Sequence, residues 1–376
     1  MTRATWWVVL AGLCLAADAS AQPPAAAPPP RLPPLESPIV RDDRTVTFAL
    51  RAPNARAVEL AGQFVKGPQP MTRDESGVWR ITLGPIEPNL YPYNFVVDGL
   101  SVADPGNAQI FPNERFKASL LDVRGAEAPL YAVQDVPHGE LTYATYTSRT
   151  LGPRPVVVYT PPGYRAGTGK YPVFYLVSGT TDTEETWAKV GRVHVILDNL
   201  IAQKRAVPMV VVMPYVNMMM GTPDPTSLQA AAMYKAFADD LTGSLMPFVE
   251  ANFRTLADRS HRAIAGFSRG GGQSLYAGFL HLDKFSWIAS YSAYLTPQVF
   301  EQHFGALAAQ PAATNGQLKL LWLGVGRDDF LYKQAVAFDD LLKAKGITHT
   351  SLVTDGGHTW MNARHYLADT LQRYFK

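Results

Sequence analysis

The Gly-Phe-Ser-Arg-Gly segment at 266–270 restricts the fold of this chain more than any other stretch of its sequence. A mostly apolar run, 262–265, precedes it, and a helix-compatible stretch, 271–277, follows it. Glycines two positions before and two after a serine leave room for a strained turn that lifts the hydroxyl clear of a sheet. The segment therefore predicts a strand, a sharp turn that carries Ser268, and a helix.

An acidic pair and a histidine come after this serine in the chain. A serine hydroxyl is inert at neutral pH without an adjacent base, so a histidine must reach Ser268. Of the eight histidines, His358 alone follows a glycine pair after the last predicted strand, where a loop can place its imidazole over the edge of the sheet. Asp328 and Asp329 follow a buried apolar run, and their spacing does not choose between them. Serine, acid and histidine in this order are typical of α/β-hydrolases, which predicts a serine nucleophile activated by an acid–histidine pair.

Acyl transfer by a serine also requires amide donors that face the developing oxyanion. The residue after the nucleophile supplies one N–H group, which here belongs to Arg269. The loop after the predicted strand 173–177 supplies the other, and position favours Thr180, with Gly179 as the second choice. We expect these amides to lie beside Ser268.

Four segments of different composition divide the chain. Residues 1–21 have a positive start, a short apolar core and small residues at a cleavage position, which predicts a signal peptide and a secreted or periplasmic protein. Residues 22–38 form a proline-rich linker. Short alternating runs separated by turn residues predict a small all-β sandwich over 39–125. Near-continuous apolar runs that alternate with helical stretches predict an α/β-hydrolase domain with a mostly parallel sheet over 126–376.

Composition removes several classes of function. The formal net charge is +2 and no block of basic residues occurs, which argues against a nucleic-acid partner. After the predicted signal, no apolar run is long enough to span a membrane. No histidines have metal-ligand spacing and no phosphate-binding glycine loop occurs, so we expect neither a metal nor another cofactor.

Several motifs together resemble carbohydrate esterase family 1, which contains the feruloyl esterases and relatives described as esterase D-like or enterochelin esterase-like. These motifs are Tyr159-Thr160-Pro161-Pro162-Gly163-Tyr164, Asp198-Asn199-Leu200-Ile201, Arg262-Ala263-Ile264-Ala265-Gly266-Phe267-Ser268, Gly326-Arg327-Asp328-Asp329-Phe330-Leu331 and Gly357-His358-Thr359-Trp360. The first domain is similar to the early-set sandwich of the glycogen-binding type that often precedes such esterases. The segments that carry this similarity are Gly77-Val78-Trp79, Tyr93-Asn94-Phe95-Val96-Val97-Asp98-Gly99 and Asp104-Pro105-Gly106-Asn107.

The resemblance covers the whole chain after the predicted signal and implies an exported serine esterase. In the family the catalytic acid stands just before a Phe-Leu pair, which implies Asp329. Three positions depart from the family pattern. Ser178 stands where histidine is common, Arg269 where methionine is common, and Ala363 where a tryptophan is frequent. All three triad members remain, and the cation of Arg269 bears on substrate preference.

Aromatic and apolar residues near the expected site are candidates for holding a substrate: Trp187, Tyr215, Met218, Tyr294 and Trp360. They suit a hydroxycinnamoyl ring, and a catecholate would use similar residues. The resemblance therefore favours a feruloyl or acetyl ester on plant cell-wall polysaccharide, with a siderophore ester as the alternative small-molecule substrate.

A carbohydrate-binding scaffold without catalytic activity is the alternative from another class. Trp79, Tyr91, Tyr93 and Phe95 of the sandwich are aromatic side chains of the kind that stack on sugars. Residues at alternating strand positions are more often core, however, and the complete triad favours an active enzyme.

Overall fold

The computed structural model describes residues 33–217 and 228–376, and Leu35–Lys376 form one compact unit. The predicted signal peptide and the linker up to residue 32 lie outside the described residues. Within the described ranges, no helix is both long enough and apolar enough to cross a membrane.

Short strands build the first part of this unit: β1 (Ile39–Val40), β2 (Val46–Arg51), β3 (Val58–Gly62), β4 (Gln69–Pro70), β5 (Thr72–Arg73), β6 (Val78–Leu83), β7 (Asn89–Val97), β8 (Leu100–Val102), β9 (Ile110–Phe111) and β10 (Ala118–Val123). One sheet has the order β1-β2-β6-β5, and the second has the order β4-β3-β7-β10-β9, with β8 paired to β7. All of these pairings are antiparallel. The predicted all-β sandwich is confirmed.

The core of the sandwich follows from side chains that alternate along its strands. Val46, Phe48 and Leu50 of β2 point to one face and are buried against Leu60 and Phe95 of the other sheet. A period of two places every second residue on the same face of a strand. The alternating runs of the sequence therefore become the inner faces of two packed sheets.

The four aromatic residues considered for sugar stacking belong to this core. Trp79, Tyr91, Tyr93 and Phe95 are all buried, and the Trp79 indole N–H donates to the carbonyl of Ala52. A ring enclosed by its own core presents no face to a sugar. The suggestion that these four residues stack on carbohydrate is wrong, for this physical reason.

The second part of the unit alternates strands with helices. Its strands are β11 (Glu140–Ser148), β12 (Gly152–Thr160), β13 (Val173–Val177), β14 (Val210–Pro214), β15 (Arg262–Phe267), β16 (Trp287–Tyr291), β17 (Leu320–Gly326) and β18 (Thr350–Thr354). Among the described residues its helices are α1 (Thr186–Lys189), α2 (Val193–Ala202), α3 (Leu228–Asp240), α4 (Met246–Asn252), α5 (Arg269–Leu280), α6 (Pro297–Ala308), α7 (Pro311–Gln317), α8 (Tyr332–Ala344) and α9 (Trp360–Leu371).

These eight strands form one sheet in the order β11-β12-β14-β13-β15-β16-β17-β18. The pairings from β14 to β18 are parallel, and β11 and β12 add two antiparallel strands at one side. Along β12, Val156 and Val158 lie in one buried cluster while Val157 and Tyr159 lie in another. Both faces of the sheet are therefore covered, which confirms the predicted mostly parallel α/β sheet.

The sandwich packs directly on the α/β part. Leu90, Phe111 and Leu120 of the sandwich share a buried cluster with Trp187 and Trp360. This contact brings β9 and the chain that follows it to the carboxyl edge of the larger sheet, where loops after parallel strands gather.

Candidate active site

Ser268 lies at the turn between β15 and α5 with the backbone strain expected of a nucleophile. Its φ is 56° and its ψ is −128°, a conformation that a non-glycine residue adopts only under constraint. Its N–H donates to the carbonyl of Tyr291 on the next strand, over 2.9 Å, which holds the turn against the sheet. The predicted strand, turn and helix at 262–277 are present.

Close backbone packing explains the two glycines around this turn. A Cβ atom on Gly266 would lie 2.4 Å from the backbone of Gly270. A Cβ atom on Gly270 would lie 2.4 Å from the carbonyl oxygen of Ser178. Real Cβ atoms do not approach backbone atoms so closely, so only glycine lets β15 and α5 meet at this angle.

His358 and Asp329 form a hydrogen-bonded pair near this serine. The imidazole Nδ1 lies 2.9 Å and 3.1 Å from the two carboxylate oxygens of Asp329. The Asp329 side chain is fully buried and accepts a second hydrogen bond, over 2.8 Å, from the N–H of Leu331. Because an ionised carboxylate only accepts, Nδ1 carries the proton and Nε2 is left as the basic nitrogen.

Two phenyl rings hold the imidazole in place. The ring centroid of Phe267 lies 4.7 Å from that of His358, and the centroid of Phe330 lies 4.6 Å away. Ser268 and His358 line the same cavity, although no hydrogen bond joins the Ser268 hydroxyl to the imidazole among the described contacts. In structures without substrate, such catalytic contacts are often long and tighten only in the reacting complex.

The structure separates the two neighbouring acids. Asp328 is exposed and its backbone N–H donates to the carbonyl of Gly356 over 3.0 Å. Asp329 alone reaches His358. Adjacent residues of a loop point in different directions, so only one carboxylate of such a pair can face the histidine.

The loop after β13 presents Thr180 beside the nucleophile. The N–H of Gly179 is already used, because it donates over 3.1 Å to a carboxylate oxygen of Asp182. Neither the backbone nor the side-chain hydrogen bonds of the described residues include the N–H of Thr180. The N–H of Arg269 belongs to the first turn of α5, where backbone amides have no partner within the helix. Among the described residues, the amides of Thr180 and Arg269 are thus available, and their role as oxyanion donors stays a prediction.

Arg269 is not in the lining of the cavity that Ser268 shares with His358, but it lines a smaller cavity beside Ser268. It is buried, and its guanidinium donates to the side-chain oxygen of Asn217 and to the carbonyl of Gly179, the latter over 3.4 Å. Burial lowers the pKa of this guanidinium, with Tyr234 and Asp182 nearby acting in the opposite direction. The positive charge of Arg269 therefore lies against the loop that carries Thr180.

A cavity of about 550 Å³ opens above Ser268 and His358. The sandwich supplies one side of it, including Phe111, Arg115 and Phe116. The α/β part supplies the other side, including Phe330 and Trp360. Phe116 is 64% exposed and Phe330 is 72% exposed, so both rings are available to a ligand.

The residues predicted to hold a substrate have different fates. Trp360 lines this cavity, and Tyr294 lines a smaller one of about 120 Å³ that also reaches Ser268. Met218 lies outside the described residues. Trp187 is fully buried with its indole N–H bonded to the carbonyl of Val177, so its prediction as a contact residue is wrong. Tyr215 lies outside the cavity lining, with its hydroxyl bonded to Glu114.

Sequence reasoning missed the contribution of the sandwich to this site. Phe116 follows a short strand in a polar stretch, and nothing in the local pattern separates it from an ordinary surface residue. Phe330 could have been predicted as a site residue, because it directly follows the predicted catalytic acid. Its position after Asp329 is the one signal that could have placed it beside His358.

Two family models match parts of this chain. The family model described as "Putative esterase" matches residues 147–374, more than half of the chain. The model of carbohydrate-binding module 48, the isoamylase N-terminal domain, matches residues 34–112.

Two curated relatives carry xylanase names. An endo-1,4-beta-xylanase/feruloyl esterase of Xylanibacter ruminicola is 28% identical over 360 residues, covering 92% of this chain and 46% of that protein. The endo-1,4-beta-xylanase Y of Acetivibrio thermocellus is 26% identical over 269 residues, covering 63% of this chain and 23% of that protein. The chain thus spans less than half the length of these relatives.

Solved structures show a likeness in fold. The feruloyl esterase module of Clostridium thermocellum in complex with sinapinate has a TM-score of 0.56 at 24% identity, covering 68% of this chain and 94% of that one. The enterobactin esterase of Shigella flexneri, in the presence of enterobactin, has a TM-score of 0.62 at 21% identity, covering 87% of this chain and 92% of that one.

Proposed function

The chain belongs to the esterase family, and from this premise we propose that it is a serine hydrolase that cleaves aromatic acyl esters, of the feruloyl type, from plant cell-wall polysaccharide. Ester hydrolysis is the reaction that its site chemistry supports. The proposal goes further in naming the two halves of the substrate, an aromatic acid and a polysaccharide alcohol.

In the proposed reaction, Ser268 attacks the ester carbonyl while His358 takes its proton through Nε2. Asp329 keeps the proton of the imidazole on Nδ1 and stabilises the imidazolium that forms. The amides of Thr180 and Arg269 bind the oxyanion of the tetrahedral intermediate. His358 then protonates the leaving alcohol. In the second half of the reaction, His358 takes a proton from water, which attacks the acyl group, and returns that proton to the Ser268 oxygen as the acid is released.

One observation carries the choice of an aromatic acid: the two exposed rings of Phe116 and Phe330 in the cavity that holds Ser268 and His358. Monomeric proteins seldom leave large apolar rings in solvent within one concave site unless a ligand covers them. A planar hydroxycinnamoyl group suits such a lining, since aromatic rings pack stacked or edge-on with centroids about 4.5–7 Å apart.

The names of the relatives support a polysaccharide as the alcohol. The Xylanibacter ruminicola relative is named for both xylanase and feruloyl esterase, and its alignment includes the sandwich. The match of 34–112 to carbohydrate-binding module 48 adds a domain of a carbohydrate-associated type beside the cavity. A sugar bound to the acyl group would leave the cavity along its sandwich side.

A siderophore ester is the second candidate. The enterobactin esterase structure covers more of this chain, including the sandwich, than the feruloyl esterase module does. Arg115 at the sandwich side of the cavity adds a cation that an anionic catecholate would attract.

The test compares kcat/KM on methyl ferulate and on a feruloylated arabino-oligosaccharide with kcat/KM on a catecholate trilactone. We expect the feruloyl esters to be preferred and the Ser268→Ala variant to lose about 10⁴-fold or more in kcat on them. A trilactone preferred by about a hundredfold, or about 2.7 kcal/mol in transition-state binding, would replace the plant-wall proposal with the siderophore one. A Ser268→Ala variant with parental activity would contradict the serine mechanism altogether.

A further inference from the structure

We propose that Asn113, which belongs to the sandwich, is a positioning residue for the oxyanion hole of the α/β part. The inference rests on the proposed ester hydrolysis and adds a role for the sandwich within it. The sandwich would then be part of the catalytic unit, whether or not it binds carbohydrate.

Asn113 is buried where the sandwich meets the loop after β13. Its side-chain amide donates over 2.7 Å to one carboxylate oxygen of Asp182. Its side-chain oxygen accepts from the hydroxyl of Thr181 over 3.0 Å, and from the backbone amides of Arg115 and Phe116 over 2.9 Å each. Its side-chain oxygen and one of its two amide hydrogens are therefore engaged, and both contact the loop.

Asp182 passes this contact on to the oxyanion loop. Its other carboxylate oxygen accepts the N–H of Gly179 over 3.1 Å. Gly179 lies against the nucleophile, since a Cβ atom placed on it would be 3.5 Å from the Cβ atom of Ser268. The chain of contacts from Asn113 through Asp182 thus holds the N–H of Gly179, one peptide before the N–H of Thr180 that is the proposed oxyanion donor.

The loop is held in a conformation that it would not adopt alone. Thr181 has a φ of 61°, which is unfavourable for a β-branched residue. The sandwich restrains it chiefly through the backbone, because the Thr181 carbonyl accepts the N–H of Glu114 over 2.8 Å. The Thr181 hydroxyl lies 3.0 Å from the side-chain oxygen of Asn113 and 2.7 Å from the carbonyl of Thr180, and it donates to one of them at a time. Strain of this kind persists only where neighbouring structure maintains it, and it concentrates at functional sites.

The second oxyanion donor is tied to the same sandwich segment. Glu114 accepts from the side-chain amide of Asn217 over 3.0 Å, and the oxygen of Asn217 accepts from the guanidinium of Arg269. The amide of Asn217 also donates to the carbonyl of Asp182 over 3.0 Å. Asn113 and Glu114 are therefore the sandwich residues that begin both chains of contacts, one leading to the loop of Thr180 and the other to the side chain of Arg269.

Asn113 lines the cavity, but its side-chain oxygen and amide are hydrogen-bonded to the sandwich and to the loop. Losing the Asn113 contact should therefore displace the Thr180 amide more than it weakens ground-state binding of the ester. Donors aimed at the oxyanion act in the transition state, so kcat should fall while KM changes little. A displacement of about 1 Å at such a site lowers the rate by as much as about 10²-fold.

The experiment measures kcat and KM on p-nitrophenyl acetate for the full chain and for Asn113→Ala, Asn113→Asp, Asp182→Ala and the Asn113→Ala/Asp182→Ala double variant. Asn113→Asp retains the accepted hydrogen bonds but loses the N–H that donates to Asp182. Because two neighbouring carboxyls share a proton near neutral pH, this variant is assayed at about pH 9, where repulsion replaces the donation, and it then separates the fold of the sandwich loop from the positioning of Gly179. We expect kcat to fall about 10- to 100-fold in each single variant, with KM within about twofold. The kcat of the double variant should be no lower than that of the less active single variant, because both substitutions remove the same contact.

Gln109→Ala is the matched control. Gln109 is an exposed sandwich residue whose side chain accepts from Arg192 of the α/β part over 3.3 Å, away from the oxyanion loop. It should keep the parental kcat. An Asn113→Asp variant with parental kcat, losses that appear only in KM, or additive losses in the double variant would each overturn the inference. A parent chain that leaves both p-nitrophenyl acetate and methyl ferulate intact would overturn the proposed function, and this inference with it.

Discussion

At the scale of single residues, two adjacent aspartates test the assignment of the acid. Asp329 is buried and bonded to His358, whereas Asp328 is exposed. Asp329→Asn should lower kcat on methyl ferulate by about 10⁴-fold, because an amide at this place favours the wrong imidazole tautomer. Asp328→Asn should change kcat less than about threefold, since a solvated carboxylate contributes little. Steady-state kinetics of the two variants decide this, and a larger loss at Asp328 would contradict the assignment.

The three triad residues could be predicted from the sequence because each of them has a recognisable local motif. Glycines flank Ser268, a glycine pair precedes His358, and the resemblance to known esterases selected Asp329. Ligand-facing aromatics have no such signature. Trp187 and Phe116 are both large and apolar, but one is fully buried and the other is 64% exposed. Only the packing of distant elements distinguishes them.

At the scale of elements, the strands of the α/β sheet were predictable because burial on both faces leaves continuous apolar runs. The continuous helical segment from Leu228 to Asn252 was not predictable in detail. It consists of α3, a π-helical segment at Leu241–Leu245 and α4, with Pro247 in the first turn of α4. Proline has no N–H to donate to the carbonyl four residues earlier, and this loss accommodates a wider turn.

The loop after β13 makes a prediction about pH at the same scale. Burial raises the pKa of the Asp182 carboxyl from 3.8 to about 7, against the lowering effect of hydrogen bonds from Asn113 and Gly179 and of the nearby Arg269 cation. The folded chain therefore binds more protons at this group than the unfolded chain between about pH 4 and pH 7. The stability that Asp182 contributes is present below that window and is lost as the pH rises through the folded pKa.

Denaturant unfolding of the parent chain and of Asp182→Asn from pH 5 to pH 8 measures this effect. The free energy of unfolding of the parent, relative to the variant, should fall by up to about 1.4 kcal/mol per pH unit and level off above about pH 8. Asp74→Asn is the control, because side-chain hydrogen bonding to Ser76 lowers the pKa of the exposed Asp74 to about 2, no histidine is among the groups that shift it, and its contribution is flat over this range. A flat difference for Asp182→Asn would show that its carboxylate is ionised throughout.

At the scale of the whole molecule, the sequence predicted two kinds of domain but not how they join. Arg364 of α9 illustrates the reason. Its buried guanidinium donates to the side chain of Asn89 and the carbonyl of Leu90 in the sandwich, and to the carbonyl of Val190 in the α/β part. Asn89 is 275 positions away in the sequence. No local pattern relates residues at that separation, so the predicted domain boundaries at 39–125 and 126–376 remain predictions about composition.

This junction leads to a prediction about unfolding, because tethered binding modules usually unfold independently of their neighbours. Here Leu90, Phe111 and Leu120 of the sandwich share a buried cluster with the α/β part, so calorimetry of the full chain should show one transition with equal calorimetric and van't Hoff enthalpies. Arg364→Ala should lower the free energy of unfolding by about 3 kcal/mol and separate the transition into two, since it leaves buried carbonyls without donors. Arg373→Ala, which removes only an exposed ion pair with Asp369, should change it by less than about 0.5 kcal/mol. Two transitions in the parent chain would mean that the sandwich unfolds as an independent module. Activity should then be lost when the sandwich unfolds, before the α/β part does, if the sandwich positions the oxyanion loop.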